Sequence, residues 1–306
     1  MRRFRMLALG ASVLALVVSA CSTGGGSSPS ASTAKPKVIV GSANFPESIL
    51  VGEIYAQALE AKGFSVDRKL NIGARSLTNA ALKSGQINLM PEYIGSDAAE
   101  LKATPSGDPQ KTWDALKAAL DPLGMTVLNF APGADQNGFA VRKETADKFT
   151  LKTMTDAAAV ANQLKWGLPP ECITNPSCGK ALKDAYGIDV TKVQWVKLAP
   201  CSAAIAVALN TSKVDVAELC TTQADIVRFN FVLLQDDKQS QSADNMAPVL
   251  RKDLAAAGGA ELTDTLNAVS AKLTTDALTQ MGVKVSVNKE KVENVAKQFL
   301  QDNSLT

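Results

Sequence analysis

Val38-Ile39-Val40-Gly41-Ser42-Ala43-Asn44-Phe45-Pro46-Glu47 is the stretch whose reading decides the fold. Val38 to Val40 is a short β-branched run that reads as a strand. Gly41 to Phe45 is a polar loop with one aromatic, and Pro46-Glu47 opens a helix. Proline suits a first helical turn, where its missing N–H has no partner to lose, and an acidic side chain there faces the positive end of the helix dipole. Leu50, Ile54, Ala58 and Ala61 recur at helical spacing with Val51 and Tyr55 beside them, and Gly63 stands where a C-terminal cap belongs. A loop between the end of a strand and the start of a helix is where open α/β sheets bind small ligands, because unpaired helix N–H groups meet the crevice there. The stretch is equally consistent with an ordinary connecting loop.

Downstream, strand and helix patterns alternate. Ser65 to Leu70 reads as a strand, and Ser76 caps a short helix through Lys83 that Gly85 ends. Ile87 to Met90 is a strand broken by Pro91, Thr112 to Leu120 a helix, and Met125 to Leu128 and Phe139 to Val141 are strands. A second alternating segment follows: helix Asp156 to Leu164, loop Glu171 to Gly179, helix Lys180 to Tyr186, strand Val193 to Val196, helix Ser202 to Leu209, and strands Val214 to Leu219 and Phe231 to Leu234. From Pro248 the pattern is almost wholly helical, with apolar spacing over Glu261 to Leu273, Thr275 to Met281 and Glu290 to Leu300. Strands separated by helices imply βαβ units and largely parallel sheets. The expected organisation is an α/β chain with one lobe from 38–139 plus 248–306 and a second from 140–247. Loops at strand ends carry polar or aromatic residues at Ser42 to Phe45, Glu92 to Ser96 and Asp135 to Asn137.

Upstream, Arg2, Arg3 and Arg5 precede an apolar run from Met6 to Val18, and Val18-Ser19-Ala20-Cys21 closes it. This is the pattern of a secretory leader over 1–21, with a run too short to span a bilayer comfortably. A cysteine directly after small residues resembles a bacterial lipobox, which implies cleavage before Cys21 and lipidation of its thiol; a plain signal peptide is the alternative. Residues 22–37, rich in Gly, Ser, Thr and Ala, read as a flexible tether. Removing the leader takes three arginines and no acid, so 32 basic and 30 acidic residues become 29 against 30. A near-neutral chain offers no electrostatic case for nucleic acid, and no charge run marks a lipid-binding face.

Export also governs the cysteines. Beside Cys21 there are Cys172, Cys178, Cys201 and Cys220, an even number that favours disulfides in any of three connectivities. Cys172 with Cys178 and Cys201 with Cys220 is preferred, because each pair closes a short local loop. A metal site is the competing reading, but the chain has no histidine and no CxxC. Without histidine there is no Ser-His or Cys-His nucleophile, and no glycine-rich phosphate loop is present. Glu47, Glu92 and Glu218 stand in separate segments, unpaired for acid–base work and readable as helix-start or structural charges. No cofactor and no enzymatic activity are expected.

Five segments carry a resemblance: Gly41-Ser42-Ala43-Asn44-Phe45-Pro46-Glu47, Gly52-Glu53-Ile54-Tyr55-Ala56-Gln57-Ala58-Leu59-Glu60, Leu89-Met90-Pro91-Glu92-Tyr93-Ile94-Gly95, Phe139-Ala140-Val141-Arg142-Lys143 and Leu234-Gln235-Asp236-Asp237-Lys238. In order and spacing they closely resemble the glycine betaine, choline and osmoprotectant binding proteins of ABC importers. The resemblance implies a type II two-lobed periplasmic-binding-protein fold with two crossing hinge segments. It also implies capture of a small polar solute between the lobes and delivery to membrane permease subunits. The protein is expected to be a monomer, anchored by its lipid to the outer face of the bacterial cytoplasmic membrane. An exported interaction protein or an enzyme on the same fold is the alternative.

Family members that bind betaine hold the quaternary ammonium in four tyrosines and the carboxylate by an arginine and a threonine, since ring faces attract a cation without N–H and a planar fork suits a carboxylate. Carried over by position, Tyr93 matches the first tyrosine and Ser96 the threonine, while Asn137 and Phe139 fall at an acid or amide and at the second aromatic. The third and fourth tyrosine positions fall on Cys220 and Asp244, and the arginine near Asn175. The expected ligand contacts are Ser42, Asn44, Phe45, Tyr93, Ser96, Gln136, Asn137, Phe139, Thr221, Thr222, Gln223 and Asp244, with hinges near Asn137 to Arg142 and Asp244 to Val249. With the box incomplete, betaine itself is expected to bind poorly.

Overall fold

Val38–Gly41 forms strand β1 and Pro46–Ala61 helix α1, joined by a loop whose last residue, Phe45, is still extended. A computed structural model describes residues 35–306, the side chain of Pro176 excepted. The leader 1–21 with Cys21, and the tether up to residue 34, lie outside the described residues. After α1 come β2 (Val66–Lys69), α2 (Arg75–Ser84), β3 (Leu89–Tyr93), α3 (Ile94–Glu100), α4 (Pro109–Leu120) and β4 (Met125–Val127). The chain then builds β5 (Asn137–Val141), α5 (Lys143–Phe149), α6 (Met154–Ala159), β6 (Lys165–Leu168), α7 (Ala181–Tyr186), β7 (Gln194–Lys197), α8 (Ala203–Asn210), β8 (Val216–Cys220), α9 (Ala224–Arg228) and β9 (Val232–Leu234). It ends with β10 (Met246–Arg251), α10 (Lys252–Ser270), α11 (Thr275–Ser286) and α12 (Val292–Asp302).

Two five-stranded sheets result, ordered β2-β1-β3-β10-β4 and β7-β6-β8-β5-β9. They are mixed rather than largely parallel: β10 runs antiparallel to β3 and β4, and β5 antiparallel to β8 and β9. These two strands are where the chain enters and leaves the second lobe, so each runs against its neighbours. Pro91 does not break its strand, and the stretch from Pro248 begins in β10 rather than in a helix. The two prolines face each other across the β3–β10 ladder, so their missing N–H groups fall at one rung instead of interrupting the ladder twice.

The crossing points therefore differ from expectation. All of β5, from Asn137, belongs to the second sheet, and all of β10, from Met246, to the first, so neither Phe139 to Arg142 nor Ala247 to Val249 is hinge. The two connections run side by side just before those strands, where Ala134 and Asn245 form an antiparallel bridge and Asp135 N donates to Asp244 O at 3.0 Å.

Burial explains why α1 organises the first lobe. Leu50, Ile54, Tyr55 and Ala58 are buried against α10 and α12, and Tyr55 Oη meets Ser270 Oγ at 2.9 Å. A fully buried side chain of that size contributes about 1.5–3 kcal/mol. The second core centres on Trp166, whose Nε1 donates to Ala161 O at 3.1 Å. Among the described residues, Cys172–Cys178 and Cys201–Cys220 are disulfides. Glu218 approaches the first pair, but bridged sulfurs are no longer thiolate ligands, so this trio cannot hold a metal.

Candidate functional site

A cleft of about 860 Å³ opens between the two sheets. The first lobe contributes Phe45 and Glu47 from the start of α1, Arg75 from α2, Tyr93 from the end of β3 and Ser96 from α3. Asp135, Gln136 and Asn137 on one connection and Gln241, Ser242 and Asp244 on the other form its back. The second lobe adds Thr222, Gln223, Asp225 and the Cys201–Cys220 disulfide, and Leu278, Gly282, Val285 and Ser286 of α11 close the rim where α9 lies against that helix.

Glu47 is the centre of the network. Its Oε2 accepts from Tyr93 Oη at 3.3 Å and, across the cleft, from Thr222 Oγ1 at 2.9 Å. Burial, reinforced by the neighbouring Asp135 charge, pushes Glu47 up to about 8, against the pull of those hydrogen bonds. Asp135 and Asp244 are also raised, burial being the main cause in both. Behind them Glu92 Oε2 accepts from Arg75 Nε at 2.9 Å and from Tyr93 N at 3.0 Å, yet burial and Asp97 still push Glu92 up to about 7. Arg75 lies over the rings of Phe45, 5.6 Å from its centroid, and Tyr93, at 6.0 Å, while the two rings meet edge-on. The aromatic corner thus already holds a cation from the protein itself.

Of the residues expected at the ligand, Phe45, Tyr93, Ser96, Gln136, Asn137, Thr222, Gln223 and Asp244 are brought together around the cleft. Asp244, however, spends its oxygens on α3, Oδ1 accepting from Ser96 N at 2.6 Å and Oδ2 from Ser96 Oγ at 2.8 Å. Four others are elsewhere. Ser42 is buried, its Oγ accepting from Asn71 N at 2.8 Å and bracing the β1–α1 loop. Asn44 is exposed outside the cleft. Phe139 alternates inward on β5 and packs edge-on against Trp166 at 6.0 Å in the second core. Thr221 Oγ1 accepts from Gln136 N at 3.0 Å and donates to Ala134 O at 2.8 Å, tying down the connection. Asn175 lies away from the cleft and accepts from Ser177 N. Sequence reasoning missed Arg75, which had no motif to mark it, and treated Glu47 as a helix-start charge, although its place in the opening loop–helix junction was the available signal.

Two lobes joined by paired connections, with a polar cleft between them, define a protein that captures a small solute by closing on it. Residues 36–302 match the model of the substrate-binding domain of ABC-type glycine betaine transport systems, and the chain belongs to that family. It is 27% identical over 301 residues to the carnitine transport binding protein OpuCC of Listeria monocytogenes, covering 94% of this chain and 92% of the relative. It is 26% identical over 280 residues to the glycine betaine-binding protein YehZ of Escherichia coli, covering 88% and 91%. In fold it matches a solved glycine betaine/carnitine/choline ABC transporter protein with a TM-score of 0.79 at 24% identity, covering 88% of this chain and 99% of that one. The apo YehZ structure from Escherichia coli gives the same TM-score, 0.79, with the same 88% and 99% coverage. The chain is a substrate-binding protein of an ABC importer, with the type II two-lobed periplasmic-binding-protein fold, and members of its family act outside the cytoplasm as transport proteins, not enzymes.

Proposed function

We propose that this protein is a monomeric receptor, lipid-anchored through Cys21 to the outer face of the cytoplasmic membrane. It captures a small polar solute and presents the closed, loaded lobes to its permease. The observation that carries the reading is the 860 Å³ cleft walled by both lobes and backed by both connections. The leader and lipobox pattern of 1–21 supports the anchor, since a surface receptor must stay near its permease.

Quaternary ammonium solutes are poor candidates for the cargo. Tyr93 is the one tyrosine among the residues lining the cleft, and the resemblance places Cys220 and Asp244, which also line it, where betaine-binding members of the family have box tyrosines. Two lost ring faces forfeit about 1 to 2 kcal/mol each, together up to about a thousandfold in affinity. Titration calorimetry of the full-length protein in detergent with betaine, choline and carnitine is therefore expected to give no micromolar affinity; micromolar betaine binding overturns this. In a thermal-shift screen of amines, zwitterions and polyols, a cognate solute at about a hundredfold over Kd stabilises the native state by about 2.7 kcal/mol. No shift from any class would argue against solute capture itself.

A further inference from the structure

Two buried oxygens in the cleft have no hydrogen-bond partner, Glu47 Oε1 from the first lobe and Gln223 Oε1 from the second. Both are acceptors. Glu47 Oε2 is already used by Thr222 and Tyr93, which leaves Oε1 alone on its carboxyl. The orientation of the Gln223 amide is fixed by its other end, since Nε2 donates to Asp225 Oδ2 at 2.8 Å and to Ser202 O at 3.4 Å. Both of those partners are acceptors, so the amide cannot be turned over to offer its NH₂ to the cleft. A buried acceptor left unpaired is costly, and what each lobe lacks is a donor.

Charge points the same way. Glu47, Asp135, Asp225 and Asp244 line the cleft, and Arg75 is the single basic residue among its lining, with Nε already given to Glu92. A neutral donor can pair with Gln223 Oε1 but leaves Glu47 protonated beside Asp135. A cation satisfies both. We infer that the captured solute is a small organic cation whose charged nitrogen keeps N–H bonds and donates them to Glu47 Oε1 and Gln223 Oε1, rather than a quaternary ammonium or a neutral polyol. The inference rests on the receptor reading above and narrows its solute class. Of the groups facing Glu47, the Asp135 charge adds to burial in holding a proton on it, a proton that an arriving cation displaces, and the Arg75 guanidinium is shared with Glu92, Asp97 and Asp244.

The test holds the body of the ligand constant and removes N–H bonds one at a time. The full-length protein in detergent is titrated with tyramine and its N-methyl, N,N-dimethyl and N,N,N-trimethyl derivatives, with neutral tyrosol, and with the parallel series from ethanolamine to choline. Affinity is expected to fall along at least one series, the trimethylated cation and the neutral alcohol each binding at least about tenfold more weakly than the primary amine. Trimethylated cations binding as tightly as primary amines overturn the inference and leave the receptor reading intact, as does tighter binding of tyrosol. No binding by any cation also overturns it, and the polyol and zwitterion screen then decides whether capture survives. Glu47→Gln is expected to weaken amine binding by at least about tenfold without altering the ranking of neutral compounds. Gln223→Met, which removes the second acceptor, serves as the independent variant should Glu47→Gln fold poorly.

Discussion

Glu218 shows how position overrides the chemistry of a side chain. It sits on β8, almost wholly buried, with Oε2 3.1 Å from Cys178 Sγ. A disulfide sulfur has no proton to donate, so the carboxyl must supply one, and burial, with Glu171 adding to it, pushes Glu218 from 4.5 up to about 7. Because the folded value lies above the unfolded one, the stabilisation is complete below about pH 4.5 and is lost as pH rises through about 7, a swing of about 3 kcal/mol. Glu218→Gln keeps the shape and cannot ionise. Its melting temperature is expected to gain on wild type by several degrees between about pH 5 and about pH 8 in calorimetric scans, and parallel curves would assign the titration to another group. Nothing near Glu218 in sequence marks this behaviour. Glu47 is similar, since the residues that define it stand 46 and 175 positions away. Tyr93 ends a strand run and lines the cleft, whereas Phe139 shares a face of β5 with Val141, turned to the second core, and Asn137 on that same face reaches the cleft only because it is the first residue of the strand.

Helix ends were the most legible elements, and the crossing strands the least. Gly85 and Gly187 end α2 and α7 in the left-handed conformation that only glycine adopts freely, and Pro46 starts α1 as its sequence reads. Pro91 and Pro248, by contrast, are strand residues because each faces the other, a pairing no local pattern encodes. The start of α3 is set from a distance too. Asp244 accepts from Ser96 N and Oγ, and a Cβ on Gly95 would meet Ala243 O at 2.5 Å and Asp244 Oδ1 at 2.9 Å. That approach to backbone leaves no room to yield. Gly95→Ala is expected to push α3 off the connection and cost about 1–3 kcal/mol, read as a fall of several degrees in the melting temperature. A variant as stable as wild type would mean that the connection shifts freely there.

Closure of the two lobes rests on contacts that single substitutions can reach. Thr222 Oγ1 to Glu47 Oε2 at 2.9 Å joins second lobe to first within the cleft, and α9 against α11 joins them at the rim. The connections at 134–136 and 243–245 lie between the sheets, so any rotation of one lobe against the other passes through them. A solute that pairs with both lobes binds the closed arrangement better than the open one, so it shifts the population toward closure. Removing one hydrogen bond across the cleft should shift that population the other way by about 0.5–1.5 kcal/mol, or roughly two- to tenfold. Thr222→Val keeps the size of the side chain and deletes the donor. Its ligand-free form is expected to show a larger radius of gyration in X-ray scattering and its solute affinity to fall by that factor, with the melting temperature of each lobe little changed. Unaltered scattering together with unaltered affinity would mean that the rim contact of α9 with α11, and not the Glu47–Thr222 pair, sets the closure equilibrium.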